Sequence, residues 1–331
     1  MATCTFRSPV APKLQAFWEM RIALGRKGEG DHKILTYLDR FLMSELQPGR
    51  PISADIADRW FKSMEYLSTG TRLNRMSMLR QFCIYLSHFD PRTCVIHQSF
   101  LPRRNRPAPY IYSQQDVSLI LGAARKIGPD GSLRPFLIST VIGLLYSTGI
   151  RIGEAMKLTL ADVDIQGELL TIRETKFMKS RYVPLSPSTA QHLADFLHQR
   201  EMAKFPTIPS APVFISPSGR AYRPGRICSI FLEIIRNIGL RGPKGERGPR
   251  IHDFRHTFAV SRLAQWYQQG ENINSKLPLL ATYLGHTALT GTEIYLHATA
   301  ELLEKTSTRF KNHFAIPFLK RNKRGHNAEE R

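Results

Sequence analysis

The stretch Ser147-Thr148-Gly149-Ile150-Arg151-Ile152-Gly153-Glu154 joins the end of one apolar helical run to the start of another helix. Gly149 predicts the turn between them, because glycine readily adopts the left-handed conformation that ends helices. Arg151 and Glu154 lie three residues apart, close enough to meet on a helix. The pattern makes Arg151 a candidate to hold a phosphate with its planar guanidinium, and a surface ion pair with Glu154 is the simpler alternative.

A second cluster, Thr175-Lys176-Phe177-Met178-Lys179-Ser180-Arg181, lies between two short apolar strings. These strings, 169–172 and 182–185, predict a β-hairpin with the cluster at its tip. A lysine there could reach into a groove and give a proton to a leaving oxygen, since burial readily lowers the pKa of an ammonium. Lys176 and Lys179 are both candidates, and a solvated turn is the alternative.

The third cluster is Ile251-His252-Asp253-Phe254-Arg255-His256. On a helix, His252 and Arg255 share one face while Phe254 points toward the core, so a base and a phosphate clamp are offered together. His252 and His256 also have a spacing found in zinc enzymes. No glutamate lies between them and no third ligand is evident, so we expect neither a metal nor a cofactor.

The fourth cluster is Tyr283-Leu284-Gly285-His286, followed by Thr292-Glu293-Ile294-Tyr295-Leu296-His297. His286 and Tyr295 are nine residues apart, with a loop containing Gly291 between them. They could converge on one point and make a nucleophile of Tyr295. A half-buried packing residue is the alternative for an isolated tyrosine.

The composition narrows the class of protein. The 331 residues include 47 Lys+Arg against 27 Asp+Glu, giving a net charge of +20, which favours a polyanionic partner, above all nucleic acid. Hydrophobic residues make up 42%, which argues against a disordered basic protein. The longest apolar run, 136–146, is too short for a bilayer. Four scattered cysteines suggest neither a zinc site nor disulfides and are typical of a reducing cytosol.

Helical periodicity dominates the chain, so we expect a mainly α protein with a small β-sheet, to which 213–215 would add a third strand. Ser53 is a predicted helix N-cap, and Ser113 with Asp116 forms a predicted capping box. Arg72, Arg75 and Arg80 predict a basic helical face for phosphate contact. The expected division is an N-terminal arm (1–30), a helical domain (31–100), a basic Pro-rich linker (101–110), a second domain (111–315) and a basic tail (316–331).

Taken in order, the string T-G-I-R-I-G-E, the hairpin lysine, H-D-F-R-H-T-F-A, Y-L-G-H and the tyrosine nine residues after that histidine resemble the catalytic domain of tyrosine recombinases, the phage-integrase family. The resemblance spans roughly 113–314. It implies a two-domain clamp, with a helical core-binding domain before an α+β catalytic domain. The catalytic residues it implies are Arg151, Lys176, His252, Arg255, His286 and Tyr295, with Lys179 the competitor of Lys176.

The same resemblance implies a site-specific recombinase that cleaves and rejoins double-stranded DNA through a 3′-phosphotyrosyl intermediate. A homo-tetramer on paired sites, accessory recombinases and a cytoplasmic, nucleoid-associated location are further expectations. The segment 265–279 looks longer than in compact members, which favours a mobile-element or phage-type enzyme. The alternatives are a catalytically silent DNA-binding protein of the same fold, a type IB-like topoisomerase, and a metal-dependent nuclease or transposase.

Overall fold

The structure is a computed structural model that describes residues 6–26, 28–101, 108–129, 131–173 and 180–285. The chain divides into two compact units, Met1–Pro107 and Ala108–Arg331. The division falls inside the range 101–110, where the sequence predicts a linker, although 102–107 lie outside the described residues. Helices predominate and one small sheet accompanies them, as the sequence predicts. In the part of the chain that the structure describes, no helix is both long and apolar enough to span a bilayer.

Every secondary-structure element in the described residues of the first unit is a helix or a helical turn. Ser53 accepts a hydrogen bond from the Ile56 N–H, which confirms it as the N-cap of the third helix. A core rich in leucine, phenylalanine and methionine joins the helices. The elements are α1 (Ala11–Ala23), α2 (Gly28–Glu45), α3 (Ala54–Lys62), α4 (Thr69–Ser87) and a 3₁₀ turn (Gln98–Phe100).

The N-terminal segment is not the loose arm expected over 1–30, because its described residues belong to this unit. Leu14 and Phe17 of α1 are fully buried in the core. The backbone N–H groups of Arg7 and Ser8 donate to the carboxylate of Asp39 at 2.9 Å. Polar residues alternate with the apolar ones in this segment, so the sequence pattern does not reveal the narrow apolar face of α1. The structure shows that this face packs against α2 and α4.

The arginines of α4 make contacts within the first unit. The guanidinium of Arg75 lies 4.1 Å from the ring centre of Tyr37, and that of Arg72 lies 5.5 Å from the ring centre of Phe61. Arg80 donates to the Ile96 carbonyl at 3.0 Å. These contacts give the basic residues a packing role, and the phosphate contact expected of them stays a prediction.

The second unit surrounds one buried helix with other helices and the sheet. The central helix, α6, is apolar on nearly every side and packs against α5, α8 and α10. Ser113 and Asp116 form the predicted capping box of α5. The helices are α5 (Gln114–Ala124), α6 (Arg134–Thr148), α7 (Ile152–Ala155), α8 (Pro187–Met202), α9 (Pro224–Asn237), α10 (Asp253–Gln268) and α11 (Ile273–Leu284), with a 3₁₀ turn at Leu160–Asp162.

The sheet of the second unit confirms the predicted hairpin. Its strands are β1 (Val163–Asp164), β2 (Leu169–Ile172) and β3 (Arg181–Pro184), in that order and antiparallel. The third strand is therefore β1, and the prediction of a strand at 213–215 is wrong. Val213, Phe214 and Ile215 are all buried, so their apolar character serves the core, and Ile215 makes only an isolated bridge to Ala221.

Gly149 brings two elements of the site close together. Its φ of +64° ends α6 in the left-handed conformation, as the sequence predicts. A Cβ at this position would lie 2.6 Å from the ring of Phe258 on α10. Only glycine therefore allows the end of α6 to approach α10, which places the segment starting with Arg151 beside Arg255.

Candidate active site

Arg151 lies immediately before α7 and makes hydrogen bonds to Glu154 and to two backbone carbonyls. Its backbone N–H donates to Glu154 at 2.9 Å and its guanidinium donates to the same carboxylate at 2.7 Å. The guanidinium also makes long hydrogen bonds to the carbonyls of Leu284 (3.5 Å) and Gly285 (3.3 Å). The ion pair with Glu154, considered as the simpler alternative, is thus present. The same guanidinium also contacts the end of α11, so the pair does not lie on an open surface.

Arg255 is almost wholly buried, at 2% exposure. Its guanidinium donates to the carbonyl of Gly149 at 2.9 Å and to that of Leu284 at 2.5 Å. Arg255 lies on the first turn of α10, where Asp253 accepts hydrogen bonds from the Arg250 N–H (2.9 Å) and guanidinium (2.8 Å). These bonds fix the start of the helix and with it the orientation of Arg255.

The two candidate phosphate-binding arginines converge at the C-terminal end of α11. Arg151 and Arg255 share the Leu284 carbonyl as an acceptor. Arg181, on β3, donates to the preceding carbonyl of this helix, that of Tyr283, at 2.7 Å. Because the last carbonyls of a helix have no partner within it and carry partial negative charge, they attract cations. Three guanidinium groups therefore bind the carbonyls of residues 283–285, which directly precede His286 in the sequence.

Glu154 balances part of this positive charge. Burial by itself would raise its pKa, but hydrogen bonds from Arg181 and from the Arg151 N–H and guanidinium lower the pKa to about 2. Arg181 binds both carboxylate oxygens, at 2.8 and 3.3 Å. Glu154 is therefore ionised at neutral pH and held by two arginines.

His252 and His256 contact each other edge to face, with 5.3 Å between ring centres. Desolvation, and then the charge of Arg255, lower the pKa of His252 below its usual value. The His252 residue has an exposed surface, which weakens the effect of desolvation, but the positive charges of the neighbouring arginines also lower its pKa. Burial followed by the charge of His252 lowers the pKa of His256 to about 4. Both imidazoles are therefore neutral near pH 7, and His252 is able to accept a proton.

No group of three or more His, Cys, Asp or Glu side chains within the described ranges is placed to hold a metal ion. Of the six residues that the sequence singles out, the structure brings Arg151, His252 and Arg255 together, since both arginine charges act on His252. Lys176, His286 and Tyr295 lie outside the described residues, as does Lys179.

Sequence reasoning missed Arg181 as part of this site. A signal was available, because Arg181 lies two residues before the buried Val183 on the same face of β3. A charged residue on the inward face of a strand requires a buried partner. That partner is Glu154, which the sequence analysis considered only in relation to Arg151.

The chain is similar to proteins of one family. Residues 112–301 match the model of the phage integrase family. The chain is 36% identical over 311 residues to the putative integrase/recombinase y4rB of Sinorhizobium fredii (strain NBRC 101917 / NGR234), covering 93% of this chain and 97% of that one. It is 30% identical over 237 residues to the tyrosine recombinase XerC of Chlamydia caviae (strain ATCC VR-813 / DSM 19441 / 03DC25 / GPIC), covering 71% and 69%.

Solved structures share the fold at low sequence identity. The Tn1549 transposon integrase in complex with transposon right end DNA superposes with a TM-score of 0.64 at 17% identity, covering 89% of this chain and 99% of that one. The XerH site-specific recombinase bound to a palindromic difH substrate gives a TM-score of 0.61 at 21% identity, covering 82% and 76%. With the family match over more than half of the residues and a relative 36% identical along nearly its whole length, the chain belongs to the phage integrase family and is a tyrosine recombinase, an enzyme that cleaves and rejoins DNA.

Proposed function

We propose that this recombinase cleaves a specific duplex site with Tyr295 and that Arg151 and Arg255 hold the scissile phosphate. The observation that carries the proposal is the shared acceptor of the two arginines, the Leu284 carbonyl. Guanidinium groups that converge on one oxygen atom are oriented to bind two oxygens of one phosphate. The bonds of Arg151 to the carbonyls, at 3.3 and 3.5 Å, are long, and a charge-assisted bond to phosphate at about 2.8 Å is stronger.

In the proposed reaction the Tyr295 oxygen attacks phosphorus and forms a 3′-phosphotyrosyl bond while the bond to the 5′-oxygen breaks. His252 takes the phenol proton, which its neutral state at pH 7 supports. Lys176 gives a proton to the departing 5′-oxygen, and His286 donates a hydrogen bond to the phosphate. Arg151 and Arg255 stabilise the negative charge that develops on the nonbridging oxygens. A 5′-hydroxyl from a second duplex reverses the step, so exchange consumes no high-energy cofactor.

The proposal extends to the partners of the enzyme. Its substrate is double-stranded DNA, which each unit contacts, and four copies assemble on paired sites, with accessory recombinases in some reactions. The net charge of +20 supports phosphate contact. The relative named as an integrase/recombinase supports integration, excision or transposition of a mobile element. The location proposed for the reaction is nucleoid DNA in the cytoplasm.

The proposal is tested by trapping covalent adducts. The purified protein is incubated with sheared genomic DNA from its source organism, denatured in detergent, and the attached fragments are sequenced. A duplex with that sequence and a nick beside the cleavage point is then used with wild type and Tyr295→Phe. We expect wild type alone to become attached, through the 3′ side of the break, in excess chelator.

Each other result contradicts a defined part of the proposal. Absence of any attachment, with binding intact, indicates a silent DNA-binding protein. An adduct that persists in Tyr295→Phe removes this tyrosine as the nucleophile, and one abolished by chelator indicates a metal-dependent nuclease. Relaxation of a plasmid that lacks the mapped sequence indicates a topoisomerase, whereas exchange between two molecules that carry it is the expected result.

A further inference from the structure

We propose that Arg181 is a positioning residue for strand cleavage: it retains the charge of Glu154 so that Arg151 can transfer from this carboxylate to the scissile phosphate. The inference rests on the proposed function, because it concerns the same reaction. It assigns a task to Arg181 on the inward face of β3, which binds Glu154, an acceptor of Arg151, and the Tyr283 carbonyl at the end of α11.

A single guanidinium joins three segments of the second unit. From β3, Arg181 donates through Nε to the Tyr283 carbonyl at 2.7 Å, at the end of α11. Through Nη2 and Nη1 it donates to the two carboxylate oxygens of Glu154 on α7, at 2.8 and 3.3 Å. The planar fork of arginine suits this arrangement, and lysine could not reproduce it.

The two arginine partners of Glu154 differ in burial, which suits Arg181 to stay bound and Arg151 to exchange. The side chains of Arg181 and Glu154 are each 10% exposed, whereas that of Arg151 is 35% exposed. Gly285 leaves room for the Arg181 guanidinium, since a Cβ on this left-handed residue would lie 3.0 Å from Nη1. Arg181 is thus enclosed by the fold, while Arg151 is open to a ligand.

The charge balance explains why two arginines are needed. A buried carboxylate that loses its counterion carries a large desolvation cost. If Arg151 were the only partner of Glu154, phosphate would have to draw it away from a buried and otherwise uncompensated charge. Arg181 removes this penalty, because it keeps both oxygens of Glu154 bonded after Arg151 turns to the phosphate.

The test measures the first-order rate of Tyr295 adduct formation at saturating nicked duplex, and DNA affinity separately. For Arg181→Gln we expect the rate to fall about 100-fold while affinity changes less than about 3-fold, since the defect lies in orienting Arg151. Glu154→Gln added to this variant removes the uncompensated charge but keeps an acceptor for Arg151. The double variant is expected to recover at least about 10-fold over Arg181→Gln.

The rate at saturating duplex separates positioning from structural support. If Arg181 only stabilised the unit, Arg181→Gln would melt at a lower temperature but would keep the wild-type rate at temperatures where it is folded. Should Arg181→Gln fail to fold in a thermal melt, Arg181→Lys takes its place: a compact ammonium lacks the planar fork that reaches Glu154 and the Tyr283 carbonyl together, so we expect about a 10-fold slower rate in a folded protein. Arg173→Gln is the matched control, because it breaks an ion pair with Asp162 at the other strand of the hairpin, and its rate should stay within about 3-fold of wild type.

The inference is overturned if Arg181→Gln, or Arg181→Lys in its place, cleaves at the wild-type rate, or if the double variant is no faster than Arg181→Gln. Failure of the proposed function gives a different pattern, in which wild type itself forms no Tyr295-dependent adduct.

Discussion

Arg151 and Arg255, which come from different helical segments, donate hydrogen bonds to the same oxygen atom, the carbonyl of Leu284. The oxygen belongs to the last residue of α11, at the negative end of the helix. A polar backbone group therefore holds the two guanidinium groups in orientation, and in the proposed reaction it does so before the phosphate binds. Electrostatic preorganisation of this kind is usually the largest contribution to catalysis, because the donors need not reorganise during the reaction.

Arg255→Lys should separate DNA binding from cleavage. Lysine keeps the positive charge but cannot donate simultaneously to Gly149, Leu284 and a phosphate, so we expect the rate of adduct formation to fall about 10²- to 10³-fold. Affinity for the duplex should change little. Arg262→Lys is the control, because the half-buried Arg262 of the same helix donates to the Gln265 side chain at 3.0 Å and to none of the carbonyls that Arg255 binds. Equal rates for Arg255→Lys and wild type would remove Arg255 from the proposed site.

Gly149→Ala should destabilise the second unit by about 3 kcal/mol or more, since it combines left-handed strain with a steric conflict. The added Cβ would meet the Phe258 ring at 2.6 Å. Gly219→Ala isolates the strain, because Gly219 has a φ of +75° with no atom within 4 Å of its added Cβ, and should cost about 1–2 kcal/mol. Urea unfolding measures both. Equal losses would show that the approach to Phe258 is not tight.

Phe254→Ala should destabilise the protein by about 3–5 kcal/mol, as expected for a large ring removed from a close-packed core. Phe254 is fully buried and stacks on Tyr112, with 4.4 Å between ring centres. Phe136→Ala, at a residue 50% exposed on α6, should cost less than about 1 kcal/mol. Thermal denaturation of both variants is the measurement, and similar melting temperatures would contradict the packing described here.

His256 should make stability depend on pH in the acidic range. Its folded-state pKa of about 4 lies below the usual 6.5, so its contribution is fully present above pH 6.5 and is lost as the pH falls toward 4. His256→Asn cannot titrate, so its stability should fall less than that of wild type between about pH 7.5 and about pH 4.5. The exposed His198→Asn is the control. Parallel urea-midpoint curves for His256→Asn and wild type would falsify the prediction.

The choice between Lys176 and Lys179 can be made chemically. In a duplex with sulfur in place of the 5′-bridging oxygen, the leaving group is a thiolate. It needs no proton, because the pKa of a thiol, about 8.5, is far below that of an alcohol. Replacement of the general acid by alanine should slow cleavage of the normal duplex but not of the sulfur duplex. We expect this behaviour for Lys176→Ala, with Lys179→Ala as its matched control. The reverse pattern would assign the role to Lys179.

The sequence by itself determined the features that depend on neighbours within a few residues. The capping box of Ser113 and Asp116, the glycine that ends α6 and the hairpin from β2 to β3 are set by backbone conformation and local hydrogen bonds, which a short pattern encodes. The resemblance of four ordered motifs likewise identified the family. The described part of the site, with Arg151, His252 and Arg255 close together, was predictable on this basis.

Only the tertiary structure decided what these residues touch. Arg181 and the Tyr283 carbonyl are 102 positions apart in the chain, and Arg255 and the Gly149 carbonyl are 106 apart. The packing of α1 into the first unit was equally hidden, because its polar residues conceal a narrow apolar stripe. A contact between distant segments depends on how whole helices and strands pack, and no local pattern specifies which buried charge will meet which carbonyl.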